Sequence, residues 1–316
     1  MYITTFGTRG SLPVAGPDKL KFGGNTTCLQ VESNCIPPGT VLSVDAGSGF
    51  LPLSREALAA GMKRLVIFHT HFHHDHTLGV VIAPPVYIDS LPIDIVGPVD
   101  KKKGPRDVYQ TLMSPPLHPV PFKKVARHLK FHSITNPAQA VILFHPRGGM
   151  HVLDRKKFER AEKKSGQVEL QKGKNFLIDE CMVVTMHYTA HPERTLAYRF
   201  EERPTKKSFV FLTDEEVRKA LPASFKKFLA DADLIIQDAQ FGESMYKSMA
   251  AGWGHGTPEY AMMLAHTGKI KRVGLTHHDP TASDSDVDNL LAEAKASRRE
   301  FPSEVFACYD HLRIEV

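Results

Sequence analysis

The chain has 316 residues, of which 42% are hydrophobic and 24% are charged, a composition typical of a globular protein with a sizeable buried core. Its net charge of +5 suits an anionic ligand, but Lys and Arg are spread along the chain rather than massed as in nucleic-acid-binding surfaces. No apolar run approaches the roughly 18 residues that span a bilayer, and the first residues lack the pattern of a secretory signal. We therefore expect no membrane contact. The four cysteines are scattered without a CxxC pair, which predicts reduced thiols in a cytoplasmic protein.

Strand and helix patterns alternate with turns along the whole chain, which indicates two packed sheets with helices outside, an αββα layering of the α/β class. We therefore expect a single domain over residues 1–316. The predicted strands are residues 2–6, 27–32, 40–44, 64–68, 93–96, 129–133, 181–186, 196–200, 208–212, 234–237, 272–275 and 305–307. The predicted helices are residues 52–60, 155–164, 222–230, 258–266 and 284–299.

The segment Asp89–Lys174 is harder to assign, because it is rich in proline and basic residues and its strand pattern is weak. Three interpretations stay open: a lid over the site, an arm that forms a homodimer, or a long excursion of the core. We predict an insertion with a lid or dimer role. Within it, the run Lys101–Lys103 beside Gly104 predicts a solvated loop.

A histidine-rich motif follows the apolar strand Leu65–Phe68. Its residues His71, His73, Asp75 and His76 form H-x-H-x-D-H, and imidazole and carboxylate are ligands that zinc prefers. A tight loop after a strand can direct the first two histidines to one side and the last two residues to another. One short segment can therefore serve two adjacent metal ions.

Further ligands must lie downstream, because one segment cannot saturate two ions. Good candidates are His and Asp residues at strand ends, where a rigid scaffold meets a loop. Asp214 and His277 each follow an apolar strand directly, and His191 follows another by a short loop.

In order and setting, these seven residues resemble the metal ligands of the metallo-β-lactamase fold superfamily. Within it, Gly252–Thr257, similar to a His-Ser-Thr motif, and Leu275–Pro280 resemble the ribonuclease Z and cyclic phosphodiesterase branch. Gly7–Ser11 and Gly23–Cys28 resemble bacterial class III 3′,5′-cyclic-nucleotide phosphodiesterases. One departure is Gly256, which stands where the His-Ser-Thr motif has serine.

The resemblance covers the chain outside Asp89–Lys174 and implies how the ligands are shared. Metal 1 would take His71, His73 and His191, metal 2 would take Asp75, His76 and His277, and Asp214 would bridge the two ions. The family spacing leaves out the neighbouring histidines, which are His69, His74, His187 and His278. Asp45 has two open interpretations: an aspartate that orients a ligand histidine, or a turn residue before glycine.

The implied chemistry is hydrolysis. Two divalent ions about 3.5–4 Å apart can hold a bridging hydroxide as nucleophile and bind the oxygens of a phosphodiester. The leaving oxygen then needs a proton, and His255 is the predicted donor, with Asp75 as a second catalytic residue. Zinc is the leading candidate for both ions, although manganese or iron would also suit these ligands.

The expected substrate is a small anionic phosphodiester, with a 3′,5′-cyclic nucleotide ahead of a phosphoribosyl cyclic phosphate. Ribonuclease Z carries a long arm for transfer RNA between the third histidine and the bridging aspartate, and His191 to Asp214 is too short for one. Nucleic acid is therefore not the expected partner. The alternatives are a ribonuclease Z-like nuclease, a lactamase-, lactonase- or thioesterase-type hydrolase, and a non-enzymatic di-iron sensor.

Overall fold

Two β-sheets lie face to face, with helices on their outer faces, in the computed structural model of the chain, which describes residues 1–298 and 300–316. The strands are β1 (Tyr2–Gly7), β2 (Cys28–Glu32), β3 (Thr40–Val44), β4 (Arg64–Phe68), β5 (Ile93–Pro98), β6 (Leu129–Ile134), β7 (Ala140–His145), β8 (Gly149–Asp154), β9 (Gln167–Gln171), β10 (Lys174–Leu177), β11 (Met182–Tyr188), β12 (Leu196–Glu202), β13 (Lys207–Leu212), β14 (Leu234–Asp238), β15 (Arg272–Thr276), β16 (Glu304–Ala307) and β17 (Arg313–Glu315). The helices are α1 (Phe50–Ala59), α2 (His74–Ile82), α3 (Pro105–Leu112), α4 (Phe122–Val125), α5 (Arg155–Ser165), α6 (Ala223–Leu229), α7 (Glu243–Met245, continued by a wide turn to Ala250), α8 (Pro258–Gly268) and α9 (Asp284–Ser297).

The two sheets are mixed. The first has the order β17-β1-β2-β3-β4-β5-β6 and the second β16-β15-β14-β13-β12-β11-β7-β8, while β9 and β10 form a separate hairpin. Strands β3 to β6 are parallel to one another, and so are β13 to β16. Because parallel strands end at the same edge of a sheet, the loops that follow β4, β13, β14 and β15 can meet at one end of the sandwich.

The main core lies between the sheets, and each sheet buries its other face against helices. Val44 and Phe68 of the first sheet pack in one cluster with Phe200 and Phe211 of the second. The aromatic rings of Phe68 and Tyr198 stack with centroids 5.2 Å apart, which joins the two sheets directly beneath the histidine motif. The αββα class predicted from the sequence is confirmed.

Every predicted strand is present, with each end within two residues of its predicted position. The predicted helices correspond to α1, α5, α6, α8 and α9 with the same agreement. The predicted end of α9 at Arg299 lies outside the described residues. Helix α2 was not predicted, so placing the whole histidine motif in a loop was wrong: Asp75 and His76 lie in its first turn. Its sequence is short and rich in His, Asp and Gly, and packing forms it. A Cβ on Gly79 would lie 2.1 Å from the carbonyl oxygen of Gly47.

The segment Asp89–Lys174 contributes β5 and β6 to the first sheet and β7 and β8 to the second, so much of it is core. Its Lys101–Lys103 run is exposed to solvent as predicted, in a tight turn where Asp100 and Lys103 exchange both backbone hydrogen bonds. The Lys101 amine lies 3.8 Å from the Glu193 carboxylate, beside the metal-site histidines described below. A lid or dimer role for the segment remains a prediction.

None of the described helices is long and apolar enough to cross a membrane. The four cysteines are buried free thiols, and burial raises the pKa of each one, that of Cys181 to about 12. Because the thiolate is the reactive form, these residues are structural rather than nucleophilic.

Candidate metal centre

The seven predicted ligands come together at the strand-end edge of the sandwich. His71 and His73 follow β4, and Asp75 and His76 open α2. His191 follows β11, Asp214 follows β13 and His277 follows β15. All except His73, which is half exposed, are buried or nearly so.

A first group consists of His71, His73, His191 and Asp214, whose potential ligand atoms all lie within 4.8 Å of one another. Asp214 Oδ1 is 3.6 Å from His71 Nε2 and 3.8 Å from His191 Nε2. This is the composition predicted for metal 1 with its bridging carboxylate.

A second group consists of Asp75, His76 and His277, whose potential ligand atoms also lie within 4.8 Å of one another. Asp75 Oδ2 is 3.2 Å from His76 Nε2 and 3.3 Å from His277 Nε2. The other oxygen of Asp214, Oδ2, lies 3.3 Å and 3.5 Å from the same two nitrogens. Each Asp214 oxygen therefore faces one histidine group, which is the arrangement that a bridging ligand needs.

The donor set fits divalent metal ions. His71 Nε2 is buried and has no hydrogen-bond partner among the residues that the structure describes, a cost that coordination would remove. Burial and neighbouring histidines lower the pKa of His71 well below its usual value. Burial alone would raise the pKa of Asp214, but four histidines led by His277 hold it well below its usual value. A neutral imidazole and an ionised carboxylate are the forms that bind metal.

Backbone strain marks the same positions. Asp214 has φ 53° and His277 has φ 62°, in the left-handed region that non-glycine residues rarely adopt. Asp45 has φ 56°. Such strain persists only where surrounding structure enforces it, and it clusters at functional sites.

Asp45 orients two of the ligand histidines. Its Oδ2 lies 2.8 Å from His76 Nδ1 and accepts a hydrogen bond from Thr70 Oγ1, also at 2.8 Å. The same hydroxyl is 3.1 Å from His71 Nδ1. The structure shows the contact expected for an aspartate that orients a histidine. Asp45 also has the turn conformation of the other interpretation, so the two are compatible.

Asp45→Asn is expected to weaken metal binding by about 10–100-fold, the usual cost of losing a carboxylate behind a ligand histidine. Asparagine keeps the size of the side chain and tolerates positive φ, so the loss of charge is isolated. The measurement is a chelator competition. Asp231→Asn, an exposed aspartate with φ 54°, is the matched control. Equal affinity in both variants would contradict the orienting role.

The other ligand histidines are held as well. His277 Nδ1 lies 2.9 Å from Gln240 Oε1, and His191 Nδ1 lies 3.2 Å from Thr195 Oγ1. Glu193 Oε2 lies 3.3 Å from His73 Nε2. The histidines that the family spacing leaves out mostly have other partners, with His69 contacting Tyr109, His187 contacting Ser224 and His278 contacting the Cys308 carbonyl, while His74 lies exposed at the mouth of the site.

His255 lies against the metal groups and is paired with Asp238. Its Nδ1 is 2.9 Å from Asp238 Oδ2, so its other ring nitrogen is free for a ligand. Burial alone would lower the pKa of His255, but the Asp238 carboxylate raises it overall, which favours a protonated imidazole. Sequence reasoning missed Asp238, although it ends β14, between the strands that lead to Asp214 and His277. The strand-end rule would have found it.

The two glycines that flank His255 let its loop pack closely. A Cβ on Gly254, whose φ is 99°, would lie 2.2 Å from His191 Cδ2. A Cβ on Gly256 would lie 2.8 Å from the Asp238 carbonyl oxygen. The departure from serine at Gly256 therefore matches a close backbone approach, and no hydroxyl contact is available there.

Gly254→Ala should displace His191 and weaken metal binding about tenfold or more, since shifts in ligand orientation have effects of that size. Gly252→Ala is the control, because Gly252 has a similar φ of 91° and a Cβ there would have no described atom within 4 Å. Backbone strain is thus shared and only the contact differs. Metal content after dialysis is the readout, and equal loss in both variants would assign the effect to strain alone.

A cavity of about 260 Å³ opens onto the centre. It is lined by Ser11, His73, His74, Asp75, Asp214 and His255. The Ser11 backbone N–H donates to Asp75 Oδ2 at 2.7 Å, so the Gly7–Ser11 loop forms one wall. A ligand in this cavity would contact both groups and His255 together.

Comparisons with known proteins agree with this architecture. No family model matches the sequence. Ribonuclease Z from Clostridium acetobutylicum is 26% identical over 310 residues, covering 90% of each chain, and that from Methanosarcina mazei is 26% identical over 342 residues, covering 99% of this chain and 97% of its own. Among solved structures, the metallo-β-lactamase fold protein YhfI from Bacillus subtilis aligns with a TM-score of 0.63 at 17% identity over 99% of both chains. The chain has the metallo-β-lactamase fold.

The names of these sequence relatives support the predicted resemblance to the ribonuclease Z and phosphodiesterase branch. Two more solved structures share the fold: unliganded yeast PDE1, with a TM-score of 0.62 at 16% identity over 100% of this chain and 99% of its own, and the short form of human tRNase Z, with 0.58 at 18% identity over 100% and 99%. At these identities, the structural neighbours establish the metallo-β-lactamase fold and leave the substrate to be argued from the site.

Proposed function

We propose that the protein hydrolyses a small phosphodiester at a centre of two divalent metal ions. The observation that carries this proposal is Asp214, whose two carboxylate oxygens each face one histidine group beside the His255–Asp238 pair. Hydrolysis is the reaction class that the fold and the relatives named ribonuclease Z indicate.

The proposed ligands are those predicted from the sequence: His71, His73 and His191 for one ion, Asp75, His76 and His277 for the other, and Asp214 between them. When bound, such ions lower the pKa of water towards 7 and neutralise charge on a phosphodiester. Zinc is the first candidate, and manganese or iron would fit the same residues.

The remaining chemistry falls to the chain itself. His255 lines the cavity and holds a proton that it can donate to the leaving oxygen, while Asp238 fixes the ring through Nδ1. Asp75 lies in the cavity wall, where its carboxylate borders the reacting phosphate. In this scheme His255 and Asp75 are the catalytic residues.

The shape of the site supports a small substrate. β12 and β13 are joined by residues 203–206 alone, so no arm for a transfer RNA body extends between His191 and Asp214. The cavity of about 260 Å³ suits the phosphate and sugar of a nucleotide. A 3′,5′-cyclic nucleotide is therefore the leading candidate.

A ribonuclease Z-like nuclease is the second candidate. The sequence relatives carry that name and match over 90% or more of both chains. The helix α5 supplies a basic surface outside the metal centre, on Arg155, Lys156, Lys157, Arg160, Lys163 and Lys164. RNA held there would be bound mainly through its phosphates.

The deciding experiment is a hydrolysis screen of protein loaded with zinc, manganese or iron in turn. The substrates are 3′,5′- and 2′,3′-cyclic nucleotides, a linear aryl phosphodiester, a precursor transfer RNA and a lactone. We expect turnover of the small phosphodiesters. Cleavage of the RNA alone would select the second candidate, and turnover of the lactone alone would overturn phosphodiester chemistry. Metal binding without any turnover would indicate a sensor.

A homodimer through the segment Asp89–Lys174 belongs to the same proposal. Lys101 lies close to Glu193, beside the metal centre. A second copy of the chain bound at this turn would therefore affect access to the centre. Light scattering of the full chain tests it, and a monomer at all concentrations would exclude the dimer.

A further inference from the structure

The chain contains a single tryptophan, and it lies in the same loop as His255, which lines the cavity. Trp253 is 51% exposed although large aromatic side chains are usually well buried. It precedes His255 by two residues. The Phe241 ring packs edge-on against both, with its centroid 6.0 Å from that of Trp253 and 5.9 Å from that of His255.

The loop that carries Trp253 is fixed rather than free. Glu216 accepts hydrogen bonds from the backbone N–H groups of Gly252, at 3.0 Å, and Gly254, at 2.8 Å, and also from the Tyr246 hydroxyl. The backbone N–H of Trp253 donates a hydrogen bond to the Ala250 carbonyl at 3.1 Å. The backbone that carries this exposed indole is thus held in place by hydrogen bonds, which favours a ring that receives a ligand.

The segment just before this loop exposes apolar side chains, whereas the cavity is lined by polar residues. Met245 and Met249, on the segment just before the loop, are 40% and 54% exposed. A ligand that places its phosphate among the histidines and a planar apolar group outside the cavity would match both surfaces. A nucleotide has this division between a charged phosphate and a flat base.

We propose that Trp253 is a stacking platform for the nucleobase of the substrate and so determines specificity for nucleotides over other phosphodiesters. This inference rests on the proposed function, because the phosphate must occupy the metal centre. Stacking of a base on an aromatic ring contributes enough that its loss weakens binding about tenfold.

The sole tryptophan gives a direct reading of base binding. The metal-loaded protein is titrated with 3′,5′-cyclic AMP and with a base-free ribose 3,5-cyclic phosphate, and tryptophan fluorescence is followed. Quenching by the nucleotide alone is expected. Absence of quenching by both the saturating nucleotide and a short single-stranded RNA overturns the proposal, and so does equal quenching by the base-free compound.

Variants separate stacking from structure. Trp253→Ala should raise KM for the cyclic nucleotide about tenfold, with KM for the base-free compound and the metal content unchanged. Trp253→Phe should recover most of the loss. Leu177→Ala, at an exposed position of the separate β9–β10 hairpin, is the control. An equal rise in KM for both compounds would show a structural role and overturn the inference.

Two further arms separate the inference from the proposed function and identify the source of the base. If neither cyclic phosphate is hydrolysed but a short single-stranded RNA quenches and is cleaved in a Trp253-dependent way, the base belongs to RNA and the platform stands. If both cyclic phosphates are hydrolysed without dependence on Trp253, the function stands and the platform does not.

Discussion

Asp214→Ala is expected to abolish hydrolysis and to lower the metal content towards one ion per chain. Its two oxygens face separate histidine groups at 3.3–3.8 Å, so in the proposed centre this one side chain would hold both ions in register. A metal ion stabilises the charge of the transition state by several kcal/mol, so its loss corresponds to a decrease in rate of about 10³-fold or more. Turnover of a phosphodiester and metal analysis of the same sample are the measurements.

The control for this variant is Asp231→Ala. Asp231 has φ 54°, close to the 53° of Asp214, but it is exposed in the turn that precedes β14, at the opposite end of that strand from Asp238. Both variants place alanine in the same strained backbone, so strain is matched. Full metal occupancy with normal turnover in Asp214→Ala would rule out the bridging assignment.

His255→Ala is expected to lower kcat for a cyclic nucleotide by about 10²–10⁴-fold, the usual range for general acid catalysis, with the metal content unchanged. The ribose alkoxide is a poor leaving group and needs the proton. An aryl phosphodiester leaves readily without one, so its decrease should be much smaller. The Asp238 carboxylate, 2.9 Å away, favours the protonated form that this role needs.

The informative result is the ratio between the two substrates. His187→Ala is the matched control, since His187 contacts Ser224 and belongs to neither ligand group. Equal losses of kcat on both substrates would make His255 a positioning residue. Loss of metal would make His255 a ligand. Metal content is measured because potential ligand atoms of His255, Asp214 and His277 also lie within 4.8 Å of one another.

The fold was predictable because its strands are strongly apolar and end in recognisable turns. Leu65–Phe68 and Phe209–Leu212 are buried runs, and the residues that follow them are His71 and Asp214. The same rule found His277. In these cases a local pattern defines both the strand and the point where its chain reaches the site.

Other features depend on contacts between distant segments and were not visible in the sequence. Helix α2 packs so closely on the loop after β3 that a Cβ on Gly79 would clash with the Gly47 carbonyl oxygen, and the intrinsic preferences of its residues do not predict it. The pairing of His255 with Asp238 joins residues 17 apart in the chain. The support of the tryptophan loop by Glu216 is likewise a long-range contact, so sequence patterns alone could not reveal it.

The measurement that tests the account most directly is a titration of metal-free protein with zinc while hydrolysis of a 3′,5′-cyclic nucleotide is followed. Two ligand groups joined by Asp214 predict that activity rises to a plateau at two zinc ions per chain. A plateau at one ion, or an absence of phosphodiester hydrolysis once two ions are bound, would contradict it.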